Sequence, residues 1–145
     1  MSLSSEQFLK ELKKANTQPV YIIAGQEPLL IQECGDALKS NLKSQGFSER
    51  IVIDTDGNGF SWDELYQHSH AMSLFATQRI IDLRLATGKP GKEGAAALID
   101  YCENPPPDTV LIITCQEWST KHGGKWSEAI EKIGQLVIAW TIKPN

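Results

Sequence analysis

Positive charge is scarce in this chain: 14 lysines and arginines stand against 18 aspartates and glutamates, a formal net charge of −4 over 145 residues. A dedicated nucleic-acid or membrane-surface binder carries a basic excess, so neither class fits. A small local basic patch is still compatible with that balance. Long apolar runs are missing too. No stretch approaches the roughly 20 residues that cross a bilayer, and the polar N-terminus has no signal-peptide hydrophobic region. Cysteine is limited to Cys34, Cys102 and Cys115. An odd number without C-x-x-C spacing argues against a disulfide framework or a zinc site and fits a reducing cytoplasm. All three lie in apolar-patterned segments, where buried structural thiols are expected. Internal repeats and low-complexity tracts are absent.

What is present is an ordinary globular composition, 41% apolar and 22% charged, at a length that suits one core. The opening Met1-Ser2-Leu3 is set aside. Ser5 begins a short amphipathic helix with Phe8, Leu9, Leu12 and Ala15 near one face. Val20-Tyr21-Ile22-Ile23-Ala24 reads as a buried strand ending at Gly25. Pro28 opens the next helix, and Gly46 ends it. Strands follow at Arg50–Ile53, Gln78–Leu85, Thr109–Thr114 and Leu136–Ile138. Helices follow at Ser61, Glu93–Tyr101 and Trp126–Lys132, the first opened by the capping box Ser61-Trp62-Asp63-Glu64. Thr109–Thr114 is the most apolar strand and is expected at the centre. Alternating strands and helices predict an α/β fold: a five-stranded parallel sheet with helices on both faces. The chain stops soon after the fifth strand, as expected for residues 1–145 forming one domain of a longer protein.

A parallel α/β sheet invites a search for phosphate chemistry at its first strand-loop-helix. A P-loop, G-x-x-x-x-G-K-[ST], cradles phosphate in backbone N–H groups and neutralises it with the lysine. Here the run is Gly25-Gln26-Glu27-Pro28-Leu29-Leu30-Ile31-Gln32. Leu30 replaces the second glycine, Ile31 the lysine and Gln32 the hydroxyl residue. Glu27 adds negative charge, and Pro28 removes a donor. Asp82, within Ile80-Ile81-Asp82-Leu83-Arg84, fits poorly as a magnesium ligand, and Thr114 stands where another strand-end carboxylate would help. ATP hydrolysis is therefore not expected. His68 and His70 are two apart on a helix and face different directions, which argues against a shared metal. Ser119–Lys125 reads as a solvated loop. A receiver-like module would need paired acidic residues after the first strand, and Gly25-Gln26-Glu27 supplies one. No cofactor is expected.

The helix from Ser61 carries a different signal. At about 100° per residue, Leu65, Ser69, Met72 and Ala76 fall within an arc of about 60°, a face fit to pack on the sheet. Leu74 and Phe75 fall well off it. Two arrangements satisfy this pattern. Either the helix continues and exposes both side chains, or it ends near Met72 and the pair turns back into the core. Exposed, each would gain roughly 1.5–3 kcal/mol on burial in a partner, which suits a binding anchor.

Ala71-Met72-Ser73-Leu74-Phe75-Ala76, after Trp62 and before a basic residue and an apolar strand, resembles the clamp-binding segment of the bacterial DNA polymerase III delta subunit. Tyr21-Ile22-Ile23-Ala24-Gly25-Gln26-Glu27-Pro28-Leu29-Leu30-Ile31-Gln32-Glu33 is similar to the family's strand, Gly-x-[Asp/Glu]-Pro-Leu-Leu turn and helix. Val110-Leu111-Ile112-Ile113 and the Lys125-Trp126 helix start also fit, so the resemblance runs in order from about Val20. It implies an AAA+ fold that has lost nucleotide binding, with Gly25, Leu30, Ile31 and Gln32 marking the degenerate loop. It implies that Leu74 and Phe75, with Met72 and Ser73 beside them, enter a hydrophobic pocket on the ring-shaped beta sliding clamp and promote its opening for loading onto DNA. On the same ground this is a cytoplasmic, non-catalytic component of the DNA polymerase III holoenzyme. Lid and collar domains, the latter joining other clamp-loader subunits, would lie outside these residues. Neither a membrane nor strong direct DNA contact by this domain is implied. The alternative is a P-loop-type nucleotide-binding or ATPase domain.

Overall fold

The computed structural model describes residues 2–12, 17–25, 27–55, 61–70, 78–85, 91–115 and 125–139. In chain order the elements are β1 (Ser2–Ser4), α1 (Ser5–Glu11), β2 (Val20–Gly25), α2 (Pro28–Ser44), β3 (Phe47–Asp54), α3 (Asp63–His70), β4 (Gln78–Leu85), α4 (Gly91–Glu103), β5 (Thr109–Cys115), α5 (Lys125–Ile133) and β6 (Gln135–Ala139). They build one parallel sheet in the order β1-β6-β2-β5-β4-β3. The five expected strands are all present, with β5 flanked by β2 and β4. A short edge strand, β1, pairs with β6 and makes a sixth. Three residues of Ser-Leu-Ser carry no strand pattern of their own; only the distant partner Leu136–Ile138 makes them one.

Period-two alternation separates two cores. On one face Val20, Ile22, Leu111, Ile113, Ile81 and Leu83 pack with Leu65 of α3, Leu98 of α4 and Ile130 of α5. On the other, Tyr21, Ile23, Val110, Ile112 and Ile80 pack with Phe8 of α1 and with Ile31, Cys34, Leu38 and Leu42 of α2. Helices therefore cover both faces, as the sequence predicts.

Local signals act where the sequence places them. Pro28 occupies the first turn of α2, where a missing N–H costs nothing. Gly46 sits just beyond the helix at φ 107°, and its N–H donates to the Lys43 carbonyl at 3.1 Å. A positive φ there is readily available only to glycine. Ser61 Oγ accepts the Asp63 N–H at 3.2 Å and caps α3. β3 begins three residues earlier than its apolar run, at Phe47, with a register irregularity before Glu49. All three cysteines are buried. Burial holds the Cys115 thiol at about 12 and that of Cys102 at about 11; burial and then neighbouring Glu33 hold Cys34 at about 11. Among the described residues, no helix is long and apolar enough to cross a membrane.

Candidate functional site

The helix after β2 leaves toward β3 at one end of the sheet, and the helix after β5 leads to β6 on the other side. β2 and β5 are neighbours, and the connections diverge between them. In open α/β sheets the crevice at such strand ends is where nucleotides bind. Gly25 and the start of α2 stand at that point. Only two residues separate Gly25 from the first helical residue, Pro28, so no loop is left to wrap a phosphate. The Ile31 N–H already donates to the Glu27 carbonyl at 3.1 Å, the first bond of the helix. Ile31, at the P-loop lysine position, is 5% exposed and faces the α2-side core. Leu30 is half-buried against that core, and Gln32 is exposed. A lysine in place of Ile31 would therefore have to bury most of its length in hydrocarbon.

α3 leads from its Ser61 cap toward Met72, Ser73, Leu74 and Phe75, which lie outside the described residues. Leu65, buried at 2% exposure, and half-buried Trp62 seat this segment on the core, as the helical phase predicts. A cleft of about 690 Å³ separates α3 from α4, and Tyr66 stands 57% exposed at its wall. The exit of α3 is tied down by a residue whose role the sequence reading missed. Arg79, only 6% exposed, donates from Nη1 to the His68 carbonyl at 3.0 Å and from Nη2 to Thr109 Oγ1 at 3.4 Å. Its backbone N–H donates to the Asp108 carbonyl at 2.8 Å. A cation on carbonyls toward the C-terminal end of a helix makes charge-assisted hydrogen bonds and complements the helix dipole. The available signal was a basic residue directly before the apolar pair Ile80-Ile81.

Asp82 is fully buried on the α2 face of β4. Its Oδ2 accepts from Lys39 Nζ at 2.9 Å, Arg50 Nη2 at 3.1 Å and Arg84 Nη2 at 3.4 Å. Burial pushes its carboxyl pKa up, but the Lys39 hydrogen bond and the charges of Lys39, Arg84 and Arg50 more than offset this and leave it lowered. Three cations crowding one oxygen oppose a magnesium ion at Asp82. Among the described residues, no three His, Cys, Asp or Glu side chains gather as a metal site.

Comparison with known proteins settles the kinship. The family profile described as DNA polymerase III, delta subunit, matches residues 21–139. The chain belongs to that family. DNA polymerase III subunit delta of Escherichia coli (strain K12) is 33% identical over 129 residues, covering 89% of this chain and 35% of that protein. The Bacillus subtilis (strain 168) subunit delta is 23% identical over 130 residues, covering 85% of this chain and 38% of its own length. This delta-family chain thus spans a little over a third of those two relatives' lengths. Among solved structures, the Bacillus subtilis DNA clamp loader delta protein superposes with a TM-score of 0.70 at 21% identity, covering 93% of this chain and 42% of that one. A DNA polymerase III gamma subunit-related protein from Thermotoga maritima gives 0.62 at 15% identity, covering 96% of this chain and 46% of that one. Those two likenesses show that the delta-family chain shares the fold of those two proteins, a parallel sheet with helices on both faces.

Proposed function

We propose that this chain is the clamp-contacting domain of a DNA polymerase III delta subunit and serves DNA replication as part of a clamp loader. It binds the beta sliding clamp through Leu74 and Phe75, with Met72 and Ser73 at the margin of the contact, and promotes ring opening. Residues 1–145 form an N-terminal domain of a longer protein, whose further domains join the other loader subunits. The domain acts in the cytoplasm and is not itself an enzyme.

The observation that carries this reading is the family match over residues 21–139, which includes the Met72–Phe75 segment in order. Two features support it. The strand–helix junction that would host ATP is occupied by core packing at Ile31. The helix leading to the anchor is capped at Ser61 and tied through its His68 carbonyl to buried Arg79. A contact residue works best when the element carrying it is ordered before binding, because less conformational entropy is then lost.

Ring opening follows from differential affinity. A domain that binds a relaxed clamp protomer better than a closed one shifts the ring toward the open state by that difference and no more. No bond is made or broken in that step, so this domain needs no nucleotide for it.

Calorimetry with the sliding clamp of the same organism tests the anchor. Replacing both Leu74 and Phe75 by Ser removes about 3–6 kcal/mol of apolar burial, or roughly 10²–10⁴-fold in affinity. Unchanged affinity in Leu74→Ser/Phe75→Ser would sink the assignment. Saturable binding of ATP with magnesium would favour the nucleotide-binding alternative instead.

A further inference from the structure

A cleft of about 340 Å³ runs along the flank of α2, away from the clamp-contacting helix and outside the function proposed above. Its floor is Asp82, and its walls include Lys39, Arg50, Arg84, Gln32 and Thr114. The charge count there is unusual for this chain. Three cations meet one buried carboxylate, and Asp36 is the only other acid among the described lining residues. The cleft is therefore net positive on a protein whose net charge is −4.

Neutralising Asp82 requires one cation. Lys39 supplies it at 2.9 Å and is the least exposed of the three, at 19% of its side chain. Arg50 and Arg84 reach the same oxygen from neighbouring strands, each through one terminal nitrogen, while 46% and 48% of their side chains stay exposed. A guanidinium has five N–H donors in a planar fork that matches a tetrahedral oxyanion. Two such forks brought to one point repel each other. A second anion lying outside Asp82 would relieve that repulsion and accept charge-assisted hydrogen bonds from both. The Gln32 amide and the Thr114 hydroxyl offer neutral donors beside them.

From this geometry we propose that the α2–β4 cleft is a phosphate-binding site, with Arg50 and Arg84 as the contacting residues and Lys39–Asp82 as the pair that positions them. The chemistry it recognises is a phosphate oxyanion, from a free phosphate or from the end or backbone of a nucleic acid strand. The site binds without hydrolysing: it borders the first three turns of α2, from Pro28 and Ile31 to Lys39, where the phosphate-loop lysine is replaced by Ile31 and Asp82 is already paired with three cations.

The experiment is an NMR titration of this chain with inorganic phosphate, following the arginine side-chain Nε–H signals. We expect saturable shifts at Arg50 and Arg84, and at least a tenfold rise in Kd in Arg50→Gln/Arg84→Gln, whose Lys39–Asp82 pair is intact. Single variants should move Kd in the same direction by less. Lys125→Gln/Lys132→Gln on α5 removes the same charge from the other face and should leave Kd unchanged. Shifts that grow without saturation, an unchanged Kd in the double arginine variant, or an equal loss in the α5 control would overturn the proposal. A single-stranded DNA ten-mer, with and without a 5′-phosphate, separates the sources. Tighter binding of both forms than of phosphate identifies the backbone; tighter binding of the phosphorylated form alone identifies the strand end. Saturation by phosphate or pyrophosphate only identifies the free ion. Each of these three results supports the site.

Discussion

The start of α2, beside the strand ends where open α/β sheets bind nucleotides, and the end of α3, which leads to the proposed anchor, are built in opposite ways. At the start of α2 an apolar side chain, Ile31, fills the position a charged ligand-binding residue would need. At the end of α3 a buried charged residue, Arg79, holds the backbone of an otherwise ordinary helix. The phosphate-loop lysine position is filled by hydrophobic packing, whereas α3 is steadied by hydrogen bonding. A site for chemistry needs open polar space; a docking site needs only a fixed place to stand.

Four substitutions probe that contrast, with expected effects of decreasing size. Ile31→Lys restores the P-loop lysine in sequence but buries an amine, which should cost about 4 kcal/mol or more in urea denaturation. It should confer no ATP binding; tight MgATP binding would mean the junction can be reopened. Arg79→Ala removes the donor to the His68 carbonyl and one of two partners of the Thr109 hydroxyl, which still donates to the Pro107 carbonyl, and should cost about 3 kcal/mol. Clamp affinity should fall with it, measured under conditions where the variant remains folded. Asp82→Asn should cost about 2 kcal/mol near neutral pH, because it uncouples three cations from one buried acceptor. The sign with pH is fixed by the lowered carboxyl pKa of Asp82. Its stabilisation is present above the ordinary aspartate value of about 4 and is lost as pH falls through the lower folded value. The gap between wild type and Asp82→Asn should therefore narrow in acid denaturation below about pH 4. Leu29→Ser, at a side chain 80% exposed, should change stability by no more than about 0.5 kcal/mol.

How far the sequence could be read follows the range of each interaction. β2 and β5 carry continuous apolar runs, β4 alternates Ile and Leu with charged residues, and the Pro28, Gly46 and Ser61 signals act within a few residues of themselves. All were legible. β1 was not, because Ser2–Ser4 becomes a strand only by pairing with Leu136–Ile138 at the far end of the chain. Asp82 reads in one dimension as a poor magnesium ligand. Its real surroundings combine Lys39 on α2, Arg50 on β3 and Arg84 on its own strand, and no local pattern joins them. The broken phosphate motif was legible as chemistry, but that Ile31 faces the core needed the helix to be seen starting at Pro28. The anchor proposed at Met72–Phe75 rests on its residues and on resemblance, lies outside the described residues, and has the clamp titration as its test.

The buried cysteines divide unevenly between the two cores: Cys34 lies under α2, whereas Cys102 and Cys115 lie on the face covered by α4 and α5. Thiol chemistry proceeds through the thiolate, and burial holds each of these groups far above neutral pH, at about 11 to 12. While the sheet keeps its covers, all three sulfurs should react slowly with alkylating reagents. Lifting α2 uncovers Cys34 alone, and lifting α4 or α5 uncovers the others. The native sequence thus carries, without any added label, a separate chemical clock for the opening of each face.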